Sequence, residues 1–100
     1  MEVFEALADP TRRRIVELLA EDERSAGELA GQFRVSRPAI SKHLRVLREA
    51  GLVRVRQEAQ RRIYRLEPET LGRAEGWLAR HRQFWQERLD ALEAHLEREE

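Results

Sequence analysis

Val35-Ser36-Arg37-Pro38-Ala39-Ile40-Ser41-Lys42-His43-Leu44-Arg45-Val46-Leu47-Arg48-Glu49-Ala50-Gly51-Leu52 is the stretch that decides the fold. Its local signals agree from end to end. Ser36 stands where a helix N-cap belongs, and Val35 and Ile40 occupy the two positions of a hydrophobic staple. At 100° per residue, Ile40, Leu44 and Leu47 fall within about 60° of one another, so one side of this helix faces a core. Gly51 ends it as a left-handed C-cap, with Leu52 placed to touch Leu47. The opposite side carries Pro38, Lys42 and Arg45, flanked by Arg37, Ala39 and Ser41. That face is basic, small and polar, the character that entry into a DNA major groove about 12 Å wide requires. His43 lies at the edge of the buried stripe, as a packing or phosphate-contacting residue.

Upstream, Val3, Phe4 and Leu7 mark a short first helix, and Asp9-Pro10 supplies the N-cap and first-turn proline of a second. That second helix runs to about Ala20 with Ile15, Leu18 and Leu19 on one side, and Glu21-Asp22-Glu23-Arg24 reads as a polar loop. Ser25 with Glu28 three residues on forms a capping box. It opens a third helix of about eight residues, whose Ala26, Leu29, Ala30 and Phe33 share a face. The free amides at its start make Ser25 a phosphate-contact candidate. Arg34-Val35 is a tight turn. After Gly51 the period changes to two: Leu52–Arg56 alternates apolar and basic, Gln57-Glu58-Ala59-Gln60 connects, and Arg61–Leu66 returns as a second strand. Arg56, Gln60, Arg61 and Arg62 on this hairpin are candidates for the DNA backbone or minor groove. The reading is mainly α with a small β-hairpin, a winged helix-turn-helix with a long C-terminal dimerisation helix. It is taken as one domain over residues 1–100: helix-turn-helix about 25–50, wing about 52–66, last helix about 69–98.

One hundred residues give room for one domain. With 38% charged residues and no run near the ~18 apolar residues of a membrane span, no membrane segment is expected. The acidic start, Met1-Glu2-Val3-Phe4-Glu5, lacks the order of a signal peptide, and without cysteine there is no disulfide framework or zinc finger. A cytoplasmic protein is the expectation. The eighteen arginines against the single Lys42 point to a GC-rich genome rather than a function.

The formal net charge of zero conceals a segregation. Arg34 to Leu66 holds ten basic residues against Glu49 and Glu58, a net +8, while the stretches on either side each carry −4. A nucleic-acid surface on a soluble protein has this pattern. Catalysis fails on inventory. The three aspartates (Asp9, Asp22, Asp90) include two used as cap or loop residues, and no phosphate loop, activated nucleophile or buried acid pair emerges. The remaining alternative is a winged-helix module for protein–protein contact or dimerisation without DNA binding, against which the +8 segment argues. On the last helix Leu78, Trp85, Leu89, Leu92 and Leu96 form one apolar stripe, broadened by Trp77 and Phe84. The stripe either folds onto its own core or meets a second copy of the chain, helped by Val3, Phe4 and Leu7. A dimer sets two recognition helices about one DNA turn apart.

Leu7-Ala8-Asp9-Pro10-Thr11-Arg12-Arg13, Val35–Leu44 and Leu47-Arg48-Glu49-Ala50-Gly51-Leu52-Val53 resemble the ArsR (ArsR/SmtB) family of bacterial repressors over nearly the whole chain. The resemblance implies a homodimeric transcriptional repressor on double-stranded operator DNA, with Ser36 to Arg45 as recognition residues and Arg54 to Arg65 as the wing. Members often carry glycine near the wing tip, where this chain has Ala59. Trp77-Leu78 and Phe84–Glu93 look like the metal-independent branch, whose genes often neighbour one for an activator-of-Hsp90-like, lipid-cavity domain. Metal-sensing members carry a Cys-x-Cys site on the third helix or an Asp/His/His/Glu site on the last. Here the third helix reads Ser25-Ala26-Gly27-Glu28-Leu29-Ala30, with no thiolate for a soft metal. His81 and His95 are 14 residues apart, about 21 Å along a helix, too far to share an ion within one protomer. No metal or other cofactor is expected, and no residue pattern specifies a small-molecule effector.

Overall fold

Asp9 and Pro10 start the first long helix as the sequence leads one to expect. The Asp9 carboxylate accepts the Arg12 amide at 3.0 Å, and the helix runs Pro10–Glu21. The computed structural model describes residues 2–98, with Met1, Glu99 and Glu100 outside the described residues. In chain order the elements are α1 (Glu2–Leu7), α2 (Pro10–Glu21), β1 (Arg24–Ser25), α3 (Ala26–Ala30), α4 (Arg37–Glu49), β2 (Val53–Glu58), β3 (Arg61–Leu66) and α5 (Pro68–Arg98). The chain divides into two compact units, one up to Thr70 and one from Leu71 onward, where the sequence reading has a single domain.

In the first unit α4 turns Ile40, Leu44 and Leu47 inward, where they are fully buried with Ile15, Leu29 and Leu52. Burying six such side chains contributes about 1.5–3 kcal/mol each, which is what a core this small relies on. The end of α4 is a Schellman motif. Gly51 has φ 77°, its amide donates to the Arg48 carbonyl at 2.9 Å, and the Leu52 amide donates to Leu47 at 3.0 Å. Ser25 caps α3 reciprocally: its hydroxyl accepts the Glu28 amide at 3.1 Å while its own amide donates to Glu28 Oε1 at 3.0 Å.

Five details differ from the sequence reading. α3 has five residues rather than eight. Past Gly31 the amides of Gln32 and Phe33 reach back only three residues, to Leu29 and Ala30, which tightens the chain out of the helix. Arg24, read as the end of a loop, and Ser25, read as an N-cap, form β1 and pair with Tyr64 and Ile63 in a three-stranded sheet ordered β1-β3-β2. Two residues carry no periodicity, so only the partner strand makes them a strand. The hairpin connection is Ala59-Gln60 alone, with Ala59 at φ 55°, a left-handed conformation that costs a non-glycine residue about 1 kcal/mol. Finally, α1 buries Val3 and Ala6 rather than Val3, Phe4 and Leu7. Val3 is 4% exposed within the protomer, so it belongs to the core and not to a free contact surface. Val35 stays 44% exposed, so little of the expected staple burial on Ile40 is realised.

The second unit is helical throughout its described residues. The rings of Trp77 and His81 stack at 3.8 Å, and His81 Nδ1–H donates to the Trp77 carbonyl at 2.9 Å. Phe84 meets Trp85 edge-on and lies under the Arg88 guanidinium. Leu78, Phe84, Trp85, Leu89, Leu92 and Leu96 are all exposed, and Trp77 is 37% exposed. Among the described residues no helix is long and apolar enough to cross a membrane.

Two outcomes follow from these contacts. Gly51→Ala places a side chain at positive φ and 3.3 Å from Thr70 Oγ1. It should lower stability by about 1–2 kcal/mol, read as a lower urea midpoint at constant slope. The second concerns acid. The Arg12 amide holds the Asp9 carboxyl, the Arg56 guanidinium the Glu23 carboxyl, and the Ser25 amide with Arg61 the Glu28 carboxyl below the ordinary range. Depressed carboxyls stabilise the fold above their unfolded pKa near ~4 and lose that contribution as pH falls through the folded value. The urea midpoint should therefore hold from pH 7 to about 5 and fall below about 4.

Candidate nucleic-acid interface

The buried stripe of α4 dictates what its other side presents. Arg37, Ser41, Arg45 and Arg48 follow one another at helical spacings of four, four and three residues, so they stand in one row. Arg37, Ser41, Arg45 and Arg48 are all exposed. That row forms one wall of a groove of about 610 Å³. Gln60, Arg61, Arg62 and Tyr64 of the wing form the facing wall, and Ser25, Ala26 and Gly27 line it at the start of α3.

Seven of the residues singled out in the sequence therefore meet at one concave surface: Ser25, Arg37, Ser41, Arg45, Gln60, Arg61 and Arg62. Ser36, Pro38, Ala39 and Lys42 lie on the first turns of the same helix but outside the groove, and of these Ala39 is half-buried. Ser36 is used locally, its hydroxyl accepting the Ala39 amide at 3.3 Å. Ser25 is 7% exposed and its hydroxyl is engaged by the capping box, so it forms floor rather than rim.

His43 and Arg56 are placed elsewhere. His43 is partly buried and turns toward the start of α2, where its Nδ1 accepts from Arg12 Nη1 at 3.4 Å and lies 3.9 Å from Asp9 Oδ2. Arg12 also donates to the carbonyls of Ala6 and Glu5, so this cluster ties α1, α2 and α4 together. Of the two roles the sequence left open for His43, this surrounding is that of a packing residue. Arg56 does not line the groove. Its guanidinium grips Glu23 with two bonds, at 2.6 and 3.0 Å, and also reaches Glu58 at 3.1 Å.

Acids from neighbouring elements offset part of the +8 segment. Arg54 pairs with Glu67, Arg56 with Glu23 and Glu58, and Arg61 with Glu28. Among the described residues Arg37, Arg45, Arg48 and Arg62 have no ion pair, although Arg62 lies over the Tyr64 ring at 6.0 Å. Positive charge without an ion pair among the described residues thus lines both walls of one groove, at Arg37, Arg45, Arg48 and Arg62. Sequence reasoning missed Arg48 and Tyr64. Arg48 was findable, since its spacing from Arg37 and Arg45 puts it on their face. Tyr64 was not, because a strand residue that is 5% exposed reads as core. Among the described residues no group of three His, Asp or Glu side chains could hold a metal ion.

The family model described as "Bacterial regulatory protein, arsR family" matches residues 9–55. The HTH-type transcriptional regulator Rv2034 of Mycobacterium tuberculosis is 54% identical over 65 residues, 65% of this chain and 61% of that protein. The match thus spans less than two thirds of the mycobacterial regulator's own length. The transcriptional repressor SdpR of Bacillus subtilis is 37% identical over 76 residues, 76% of this chain and 84% of that one. Among solved structures, a possible transcriptional regulator for arsenical resistance is similar with a TM-score of 0.77 at 46% identity, covering 94% of this chain and 95% of that one. Similarity that runs through the helix-turn-helix and the wing at these identities leaves one assignment: the chain belongs to the arsR family of bacterial regulatory proteins, winged helix-turn-helix regulators rather than enzymes.

Proposed function

We propose that this protein is a cytoplasmic, homodimeric repressor that binds operator DNA, controls its own or a neighbouring operon, and does so without sensing a metal. The observation that carries the reading is the groove lined by Arg37, Arg45, Arg48 and Arg62, which have no carboxylate partner among the described residues. In this reading the first turns of α4, Ser36 to Arg45, enter the major groove, and Arg48 and Arg62 take the flanking phosphates. His43 positions α4 from behind, and Arg56 braces the wing through Glu23. The repressor role agrees with the names carried by relatives such as SdpR.

The dimer is supported by the exposed stripe of α5. Six large apolar side chains, Leu78, Phe84, Trp85, Leu89, Leu92 and Leu96, are 45–59% exposed on one helix, which is more than an isolated soluble surface tolerates. Of the N-terminal residues that the sequence assigns to this contact, Phe4 and Leu7 are each half-buried. Metal independence is supported by the donor set: the sequence has no cysteine, and His81 is already bonded to the Trp77 carbonyl and stacked on its ring.

Titration of an operator duplex and a random duplex against salt tests the DNA reading. A protein neutralising about 6–10 phosphates should lose roughly 10³–10⁵ in affinity between 50 and 200 mM salt. Arg62→Ala should weaken both duplexes alike, whereas Arg37→Ala or Lys42→Ala should cost operator discrimination by about 1–3 kcal/mol if the side chain reads a base. A flat salt response would leave the protein-contact module as the better account. Added zinc, nickel or arsenite should leave the operator complex intact.

Sedimentation tests the dimer. Trp85→Ala combined with Leu89→Ala removes two large side chains per copy, worth about 3–5 kcal/mol each where fully buried, and should give monomers. A dimer that persists at the wild-type concentration would refute α5 as the interface.

A further inference from the structure

Five arginines line the groove (Arg37, Arg45, Arg48, Arg61 and Arg62), and among the described residues Arg61 alone of these is paired with a carboxylate. Its partner, Glu28, is not a free surface acid. The same Oε1 atom that accepts from Arg61 Nη2 also accepts the Ser25 amide at 3.0 Å, and Ser25 pairs in register with Ile63 on the strand that carries Arg61. The capping box therefore fixes the carboxylate in place, and the carboxylate holds the guanidinium of the first residue of β3 against the start of α3.

We infer that Glu28 restrains Arg61 from the DNA backbone and so limits the sequence-independent part of the protein's affinity for DNA. The inference rests on the DNA-binding reading above and deepens it. An exposed ion pair of this kind is weak in itself, so a phosphate can compete for the arginine. Transfer to phosphate, however, would leave the Glu28 carboxylate uncompensated beside the polyanion, a like-charge cost that opposes the exchange. A phosphate contact carries no sequence information, and withholding it lowers affinity for operator and bulk DNA by the same factor. The effect is a wing that contributes fewer phosphate contacts than its arginine count suggests.

Glu28→Gln separates the two duties of this side chain. Glutamine at the third helical position still accepts the N-cap amide, so the cap survives while the charge is lost. The full-length variant should keep the wild-type circular dichroism spectrum. Its affinity for a random duplex and for the operator should rise together, and the plot of log affinity against log salt should steepen by about 0.9 per protomer, a further factor of about 3.5 between 50 and 200 mM salt. Arg61→Ala should then remove more slope in the Glu28→Gln background than it does with Glu28 present. If the wild type shows a steep salt response and Glu28→Gln leaves it unchanged, the restraint is refuted while the DNA reading stands. Equal losses on Arg61→Ala in both backgrounds refute it too, because they would mean additive charge and no hold on Arg61. Loss of folded structure in Glu28→Gln would contradict the account of the cap and overturn the proposal. A wild type without salt-dependent DNA binding removes both readings.

Discussion

The rotation of α4 about its own axis is the constraint on which the rest of the first unit depends. Ile40, Leu44 and Leu47 are buried together with Ile15, Leu29 and Leu52, and turning the helix by even 100° would expose two or three of them at about 1.5–3 kcal/mol apiece. Once that face is committed, Arg37, Ser41, Arg45 and Arg48 have only one direction left. The Schellman end at Gly51 then reverses the chain in two residues, so that Leu52 and Val53 join the same core and the wing starts beside the helix it flanks.

Charge is organised by a second rule. The acids that surround the basic segment are not spread evenly over it. Glu67, Glu23 and Glu28 reach the wing arginines from outside the hairpin, while the groove side of α4 receives none from the described residues. Exposed pairs of this kind add little to stability. Their consequence is spatial: positive potential is reduced along the wing and left intact where α4 meets the groove. A chain of zero net charge can thereby present a strongly basic cleft without a basic surface overall. Glu28 joins this rule to the local structure, since one carboxylate oxygen serves both the α3 cap and Arg61.

The second unit follows a different logic. α5 spans Pro68–Arg98, about 46 Å at 1.5 Å per residue, and its apolar stripe stays exposed. Local contacts such as the Trp77–His81 stack and the Arg88–Phe84 pair order side chains along the helix without covering the stripe, the apolar surface that the proposed dimer would bury.

The sequence by itself determined where most elements start and which side of them is buried. The caps at Asp9, Ser25 and Ser36, the left-handed end at Gly51, the buried stripe of α4 and the period-two hairpin are each written within a few consecutive residues, because hydrogen bonds to a helix end and side-chain periodicity are short-range. Seven groove residues were legible on the same basis. Features made by partners distant in the chain were not. β1 exists because Arg24 and Ser25 meet Tyr64 and Ile63 some 38 to 40 residues later. His43 lies apart from the groove because Arg12 and Asp9 engage it, and Val3 is buried because the first unit closes over it. Arg56 and Arg61 read alike as wing cations, yet Glu23 grips one outside the groove and Glu28 tethers the other to its wall. Only the tertiary structure decided these, because a charge or an apolar side chain declares its type in sequence, while its partner is chosen by the folding of the rest of the chain.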